Sequence, residues 1–433
     1  MDSILTDNLP TLLLRLWHHL TRRRQRQFTL VMGLMLVSAF TEVISLGAVL
    51  PFLGILVSPD RVFSHPIVSD MAQAWGFTSA DQLVLPLTVA FAAAVVIAGS
   101  VRILLLWAST RLTIACGADL SIEVYRRTLY QPYRVHMTRN SSEVITGIDK
   151  VNSAVLVLSQ SLILVSSTLL LVAIVLTLIA IDPMVASLAA IGFSASYAVI
   201  TWMSRRRLNR NSQCIAYEQT QVIKALQEGL GGIRDVLLDG TQPVYCDIYR
   251  QSDLPLRRAL GNNAFISQCP RYIVEAMGIV LIVVLAYALS QKPGGITTAL
   301  PVLGALALGA QRLLPALQQI YSAWTSIVGS HASLSDAIEL LNQPLPAELL
   351  EPTPPPLPFQ NAICFDAVRF RYTDDGPWVL DGHNLSIPKG ARVGFVGSTG
   401  SGKSTTLDLI MGLLMPSDGE ILVDGKTISG KRT

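Results

Sequence analysis

The stretch Gly394–Thr405, "GFVGSTGSGKST", decides how the C-terminal part of the chain folds. It contains the pattern G-x-x-x-x-G-K-[ST], which is typical of a loop that holds phosphates between a strand and a helix. The preceding residues 391–397, "ARVGFVG", are short and apolar and predict that strand, while Ser404–Met415 predicts the helix. A strand, a glycine-rich loop and a helix in this order predict a nucleotide site.

Each residue type in this loop has a physical task. Glycines let the backbone curl so that successive amide N–H groups and the helix N-terminus point at the β-phosphate of ATP. Lys403 is expected to neutralise the β- and γ-oxygens, and the hydroxyl of Ser404 to bind Mg²⁺. A Gly/Ser-rich loop with an incidental lysine is the alternative, which the full match and its context disfavour. The predicted cofactor-binding residues of the loop are Gly397, Ser398, Thr399, Gly400, Ser401, Gly402, Lys403, Ser404 and Thr405.

The rest of the chain has the composition of a membrane protein. Hydrophobic residues make up 51% of it and charged residues 15%, and its mean hydropathy is +0.47. These values lie outside the usual range of soluble domains. A helix needs about 20 apolar residues to cross a bilayer. Runs close to or beyond that length predict six transmembrane helices, at 28–57, 83–110, 151–181, 184–203, 273–290 and 296–314.

The basic residues predict the orientation of these helices. Nineteen Lys and Arg residues lie in the segments 1–27, 116–150 and 205–268, against two in the alternate connections. The positive-inside rule therefore predicts a multi-pass protein of the cytoplasmic (inner) membrane with both termini in the cytoplasm. Because these residues lie at membrane edges without interleaved aromatics, the net charge of +3 does not predict nucleic-acid binding. The first apolar run is too long for a cleaved signal and is expected to stay as an anchor.

The connections carry further elements. Residues 112–150 and 204–268 predict helical extensions into the cytoplasm, which turn at Arg139–Val144 and Gly231–Val244. On the outer side, Ser64–Trp75 predicts a short helix on the membrane surface, because its apolar residues and Trp75 share one helical face.

A proline-rich stretch marks a domain boundary. Residues 342–360 contain seven prolines, which favour an extended spacer. Beyond it, "AICFDAVRFRY" alternates like a strand and "GEILVDGKTI" predicts a hairpin at Asp424-Gly425. The predicted domains are a cytoplasmic segment (1–27), a six-helix membrane domain (28–330), a linker (331–358) and a partial nucleotide-binding domain (359–433).

The stretch 368–405 reads "VRFRYTDDGPWVLDGHNLSIPKGARVGFVGSTGSGKST". Together with the six predicted spans, it resembles exporter-type ABC transporters, and the resemblance covers the whole chain. The resemblance implies a six-helix membrane domain with long cytoplasmic extensions, followed by the start of an α/β P-loop domain. It also implies a homodimer that closes on two ATP molecules. Tyr372 would stack on adenine, with a structural tyrosine as the alternative. Residues 141–144 and 232–238 would be coupling helices that dock on nucleotide-binding domains.

Three phrases narrow the resemblance. "EVISLGAVLPFLGILVSP" (42–59), "YRRTLYQPYRVHMTRNSSEVI" (125–145) and "QRLLPALQQIY" (311–321) are similar to lipid-linked oligosaccharide flippases. They imply an ATP-driven flippase for an amphipathic, anionic lipid-linked substrate, with membrane lipids as further partners. Exporters of peptides, other lipids or drugs remain alternatives.

The sequence departs from this family after the loop. The family's Q-loop glutamine, LSGGQ-like signature, Walker B aspartate with its catalytic glutamate and switch histidine have no counterparts in it. Asp424 in "ILVDG" is predicted to lie in a turn. We therefore expect a C-terminally truncated chain that has no catalytic residues and does not turn over ATP alone. A nucleotide sensor, an inactive remnant and a membrane-anchored phosphotransferase are the alternatives.

Three arginines lie in the predicted spans or at their edge, namely Arg102, Arg271 and Arg312. A charge at the bilayer centre costs about 2.5–3.5 kcal/mol even on the permissive insertion scale, so such residues usually face a cavity or a partner. The two carboxylates of Glu42 and Glu275 cannot neutralise the positive charges of all three arginines. We expect a cavity that binds an anionic headgroup such as a lipid pyrophosphate. The alternative is that Arg271 reaches the interface or pairs with Glu275, and that Glu42 neutralises another arginine.

Overall fold

A computed structural model describes residues 8–48, 52, 82, 84–181, 183–290, 295–345 and 357–428. The predicted outer helix at 64–75 and the proline-rich residues 346–356 lie outside the described residues. The chain divides into two compact units: the first unit is 1–124 with 145–342, and the second unit is 125–144 with 343–433.

Helices occupy most of the described chain before the first strand. In order they are α1 (Leu9–His19), α2 (Arg22–Gly47), α3 (Val84–Leu129), α4 (Tyr133–Thr138), α5 (Ser141–Asp149), α6 (Val151–Ile181), α7 (Pro183–Gly231), α8 (Ile233–Leu238), α9 (Gln242–Ser290), α10 (Gly295–Gly329) and α11 (His331–Leu341). α3 has 46 residues, and α7 and α9 have 49 each. At 1.5 Å per residue each is about 70 Å long, far more than a bilayer crossing requires. The predicted continuation of these helices beyond a membrane span is therefore confirmed, while their cytoplasmic side stays a prediction.

Three stretches within the described residues are long and apolar enough to cross a membrane: Arg22–Ser45, Val84–Leu129 and Ser141–Thr177. The other predicted spans, 184–203, 273–290 and 296–314, fall within α7, α9 and α10.

The core of the first unit joins α1 to the long helices and to α11. Leu12 and Leu16 of α1 are fully buried with Leu120, Leu334 and other apolar residues. α11 lies within the predicted linker range but forms a helix of this unit. Its apolar residues Leu334, Ala337, Ile338 and Leu341 recur at helical spacing and are buried. The prolines that would disrupt a helix begin only at Pro344.

A buried lysine ties three helical regions together. Lys150, between α5 and α6, is 5% exposed. Its ammonium donates to Asp336 Oδ2 of α11 at 2.6 Å, and to Ala216 O and Thr220 Oγ1 of α7 at 2.9 and 3.3 Å. Three acceptors offset the cost of removing this charge from water.

The second unit contains a four-stranded antiparallel sheet. Its strands are β1 (Ala362–Phe370), β2 (Leu380–Pro388), β3 (Asp418–Val423) and β4 (Lys426–Thr427), in the order β2-β1-β3-β4. Helix α12 (Lys403–Ile410) packs on it through Leu409. The predicted hairpin is confirmed: Asp424 and Gly425 link β3 to β4 with φ of 51° and 77°, the left-handed pair that a tight I′ turn requires.

Two details of the loop region differ from the sequence prediction. Residues 391–397 form no paired strand, and Val396 is 95% exposed. A strand needs a hydrogen-bonded neighbour, and no described strand lies beside this segment. The helix ends at Ile410 instead of Met415, because Gly412 adopts φ of 71°.

Candidate nucleotide-binding site

The backbone of the loop depends on two glycines. Gly400 and Gly402 both have φ of 84°, a conformation that costs a residue with a side chain. Gly402 is also the N-cap of α12. A Cβ added there would lie 2.9 Å from Leu380 Cδ2 and 3.2 Å from Val379 O. Position 402 therefore requires glycine for both its conformation and its close contacts.

Lys403 folds back over the loop that it follows. Its ammonium donates to Gly397 O at 2.9 Å, to Ser398 O at 2.7 Å and to Ser401 Oγ at 3.4 Å. These oxygens surround the ammonium as the oxygens of a phosphate would. Three residues of the motif thus bind the ammonium group of Lys403.

The remaining residues of the motif separate into an exposed and a buried set. Gly397, Ser398, Thr399, Gly400 and Ser401 are exposed, as is Ser404 in the first turn of α12. Gly402 and Thr405 are buried, and the neighbouring Thr406 hydroxyl donates to Gly402 O at 2.9 Å. The loop is open to solvent above a fixed helix start.

Tyr372 lies against the same helix. Its hydroxyl is 2.8 Å from Thr405 Oγ1, and its half-buried ring packs edge-on against Phe370 at a centroid distance of 5.0 Å. The residue predicted to bind adenine is thus connected to the phosphate loop through α12. These contacts also give it the structural role that was the alternative.

Sequence reasoning missed a contact to the backbone of this tyrosine. The guanidinium of Arg134, in α4, donates to the carbonyl of Tyr372. Both residues belong to the second unit, where Arg127 and Gln131 also donate to the carbonyls of Gln343 and Pro344, each at 2.9 Å. Sequence reasoning placed the docking segments at 141–144 and 232–238. Arg134 and Tyr372 are 238 positions apart in the sequence, and no periodicity or motif links them.

An arginine–tryptophan cluster, also missed, combines Arg369 at the end of β1 with Arg371 and Trp378 of the following loop, which also contains Tyr372. The guanidinium carbon of Arg371 is 4.8 Å from the ring centroid of Trp378, and that of Arg369 is 5.9 Å away. Arg369 also bonds Asp381 at 2.9 Å. Trp378 precedes Val379, whose carbonyl lies close to Gly402. The cluster therefore places positive charge on the segment that packs against the start of α12.

Asp424 is not part of a phosphate site. Its carboxylate accepts hydrogen bonds from the backbone N–H groups of Gln360, Asn361 and Ala362 at 2.5, 2.6 and 3.0 Å. These bonds, with that from Gln360 the largest cause, lower the pKa of Asp424 below its usual value. Its turn assignment is confirmed, and its side chain anchors the start of β1.

The arginines of the predicted cavity have different surroundings. Arg102 Nη2 lies 2.5 Å from Glu42 Oε2, and the Glu42 side chain is only 5% exposed. Arg271 of α9 is exposed, and in the described part of the chain no ion pair joins it to Glu275. The backbone of Arg312 lies in α10, but its side chain is outside the described residues. Of the three, Arg102 has a defined carboxylate partner.

Comparison with known proteins identifies the second unit. Residues 380–433 match the family "ABC transporter". This match confirms the predicted resemblance to ABC transporters for this segment. The fold agrees, because 94% of the chain superposes on 68% of a chain in "Structure of a bacterial Atm1-family ABC exporter with ATP bound", with a TM-score of 0.61 and 19% sequence identity. The predicted ABC exporter fold is confirmed.

Curated relatives match shorter parts of the chain than this structural comparison does. It is 26% identical over 237 residues to the "ATP-dependent lipid A-core flippase" of Alkalilimnicola ehrlichii, which covers 52% of the chain and 38% of that protein. It is 34% identical over 113 residues to the "Leukotoxin translocation ATP-binding protein LktB" of a Pasteurella haemolytica-like species, covering 26% and 15%. It is 46% identical over 67 residues to the "Alpha-hemolysin translocation ATP-binding protein HlyB" of Escherichia coli, covering 16% and 10%. The chain spans less than two fifths of the length of each.

Proposed function

We propose that this ABC transporter chain is a subunit of an ATP-driven exporter or flippase that works as a homodimer in the cytoplasmic membrane. The observation that carries the proposal is the double attachment of Tyr372. Its carbonyl accepts from Arg134 of α4, and its hydroxyl bonds Thr405 behind the phosphate loop. A ligand that moves Tyr372 therefore acts on α4, which directly follows the membrane-spanning helix α3.

ATP, when bound, supplies the phosphoanhydride bond whose hydrolysis drives transport. The residues of the loop fit its phosphates, because Lys403 already lies among loop oxygens that it can exchange for phosphate oxygens. Ser404 presents an exposed hydroxyl beside Lys403, which suits Mg²⁺ as a hard oxygen ligand. Tyr372 offers its ring to the adenine.

We further propose that the cargo is an amphipathic, anionic lipid, and more narrowly a lipid-linked oligosaccharide. The similarity to a lipid A-core flippase covers 237 residues, more than the described C-terminal domain at 357–428 contains. It therefore includes more of the helical region than the matches of 113 and 67 residues to two toxin translocators can include. Arg271 and Arg312 remain the candidates for phosphate binding, because Glu42 balances the charge of Arg102.

The test uses the protein as its gene encodes it, reconstituted in liposomes with ATP inside or outside. The assay measures movement of a fluorescent lipid pyrophosphate across the bilayer. We expect Lys403→Ala to abolish ATP-dependent movement, and Lys426→Ala, a lysine of β4, to leave it unchanged. Continued ATP-dependent movement in Lys403→Ala would refute the proposed energy source.

A second pair of variants tests the cargo. We expect Arg271→Gln with Arg312→Gln to slow the lipid pyrophosphate about tenfold or more, since a charged hydrogen bond contributes about 1.5–3 kcal/mol. Arg250→Gln, which changes an arginine whose side chain is 75% exposed, is the control. If the double variant moves the lipid at the parental rate while Lys403→Ala does not, the cargo assignment fails and ATP-driven transport stands.

The native cysteine Cys246 tests the proposed orientation. It is exposed in α9, within the extension predicted to be cytoplasmic. In whole cells an impermeant thiol reagent should not label Cys246, whereas a cysteine introduced at Ser69 should react. Ser212 is a poor reporter, because it is 2% exposed and accepts a hydrogen bond from Ala332 N at 3.0 Å. Labelling of Cys246 from outside would reverse the topology.

A further inference from the structure

The N-terminal basic surface consists of Leu14 and Trp17 of α1 and Arg22, Arg23 and Arg26 of α2. We propose that this surface binds the headgroups of anionic phospholipids in the membrane that α2 enters. The proposal rests on α2 crossing the membrane and is independent of nucleotide binding and of the cargo.

Helix α1 has one buried face and one apolar outer face. Leu12, Leu16 and Leu20 are at most 5% exposed and join the core of the first unit. On the other side, the Leu14 side chain is 60% exposed and that of Trp17 37%. An exposed leucine beside a tryptophan suits the boundary between headgroups and acyl chains, where aromatic rings are enriched.

Contacts of Trp17 fix the position of α1 along the axis of α2. Its ring packs edge-on against Phe28 with the centroids 5.5 Å apart, and Phe28 is 6% exposed. The Trp17 carbonyl also accepts from Gln25 Nε2 at 3.1 Å. Phe28 is the first residue of the predicted apolar run, so Trp17 lies where that run begins.

The arginines at the start of α2 have two kinds of surroundings. Arg24 points into the protein: its Nε lies 2.8 Å from Asp119 Oδ2, and its side chain is 17% exposed. Arg22, Arg23 and Arg26 are exposed, and among the residues that the structure describes none of the three has an ion pair with a carboxylate. One arginine serves the fold, and the other three present their charge to the surroundings.

The depth of these charges matches the headgroup layer. Arg26 precedes Phe28 by two residues and Arg22 by six, which is about 3 and 9 Å along a helix. The headgroup layer on each side of a bilayer is roughly 5–8 Å thick. Three guanidinium groups above an exposed tryptophan and leucine therefore face phosphates with their charges and acyl chains with their apolar atoms.

The experiment uses the purified full chain in detergent micelles and native mass spectrometry with two lipid probes, dioleoyl phosphatidylglycerol and dioleoyl phosphatidylcholine. The test variant is Arg22→Gln with Arg23→Gln and Arg26→Gln. The matched control is Arg250→Gln with Arg257→Gln and Arg258→Gln. It removes the same three charges from exposed positions on α9, at least 13 residues before Arg271.

We expect the test variant to bind phosphatidylglycerol about 100-fold more weakly, since each basic residue at an anionic surface contributes about a fivefold effect. The control should change by less than about threefold, and phosphatidylcholine binding should not change. Arg22→Lys with Arg23→Lys and Arg26→Lys should retain most of the affinity, and the thermal unfolding midpoint of each variant checks its fold. Parental affinity in the test variant, or an equal loss in the control, would overturn the proposal.

Discussion

The phosphate loop and the arginines of the membrane helices were both predicted from sequence, but the two predictions differ in kind. In the loop, the contacts of Lys403 join it to residues two to six positions away. Arg102, in contrast, is paired with a carboxylate 60 positions away. A short motif specifies its own geometry because its members are neighbours in the chain. The role of an isolated charge depends on packing that its surrounding sequence does not encode.

The largest effect that we expect concerns the loop itself. Gly402→Ala would place a side chain at φ of 84°, with its Cβ 2.9 Å from Leu380 Cδ2. The left-handed conformation alone costs about 1–2 kcal/mol, and the close contact adds to it. ATP affinity, measured with a fluorescent nucleotide, should therefore fall by about 30- to 100-fold. Gly394→Ala is the control, because nothing lies within 4 Å of its added Cβ; equal affinities in both variants would show that the loop is not preorganised.

The next-largest effect concerns the ion pair between Arg102 and Glu42. Glu42→Gln would leave Arg102 without its charged partner in the first unit. Breaking a buried pair costs about 3–5 kcal/mol, and because Arg102 is 53% exposed we expect about 2 kcal/mol. The thermal unfolding midpoint in detergent measures this loss.

A double-mutant cycle sharpens the test of this pair. With Arg102→Gln as the second change, the coupling energy should be about 1–2 kcal/mol. A coupling near zero would mean that Arg102 is available for cargo after all.

A smaller effect is expected at the contact between the two segments of the second unit, 125–144 and 343–433. Tyr372→Phe keeps the ring and removes the hydroxyl bonded to Thr405. A net hydrogen bond contributes about 0.5–1.5 kcal/mol, so ATP affinity should fall roughly two- to tenfold. Arg134→Gln should weaken binding to a similar degree through the Tyr372 carbonyl, and the two changes together should be less than additive. Full additivity would separate Arg134 from the nucleotide site.

The same distinction between local and distant contacts explains what sequence could predict. The apolar runs predicted the long helices because crossing a membrane depends on length and hydropathy within one segment. The turn at Asp424-Gly425 was predicted because two neighbouring residues define it. Three of the missed features are the burial of the helix at 331–341, the contact of Arg134 and the unpaired segment 391–397, and each depends on a neighbour distant in sequence. The arginine–tryptophan cluster was also missed, although its members all lie within 369–378.

The smallest expected effect is a pH dependence at the anchor of β1. The folded-state pKa of Asp424 is lowered by backbone N–H groups, with Gln360 first. A lowered pKa means that the carboxylate stabilises the fold at pH values above its unfolded pKa, about 4, and that this contribution fades as the pH falls through the folded value. Hydrogen exchange of the amides of residues 360–362, corrected for intrinsic rates, should therefore show protection in the parent that is constant from pH 7 to 5 and declines towards pH 3. In Asp424→Asn the charge is absent, so protection should be lower at pH 7 and nearly independent of pH, while Asp374→Asn, a change in the exposed loop after β1, should behave like the parent. Parental protection that is as high at pH 3 as at pH 7 would show that the backbone hydrogen bonds do not depend on the ionised carboxylate.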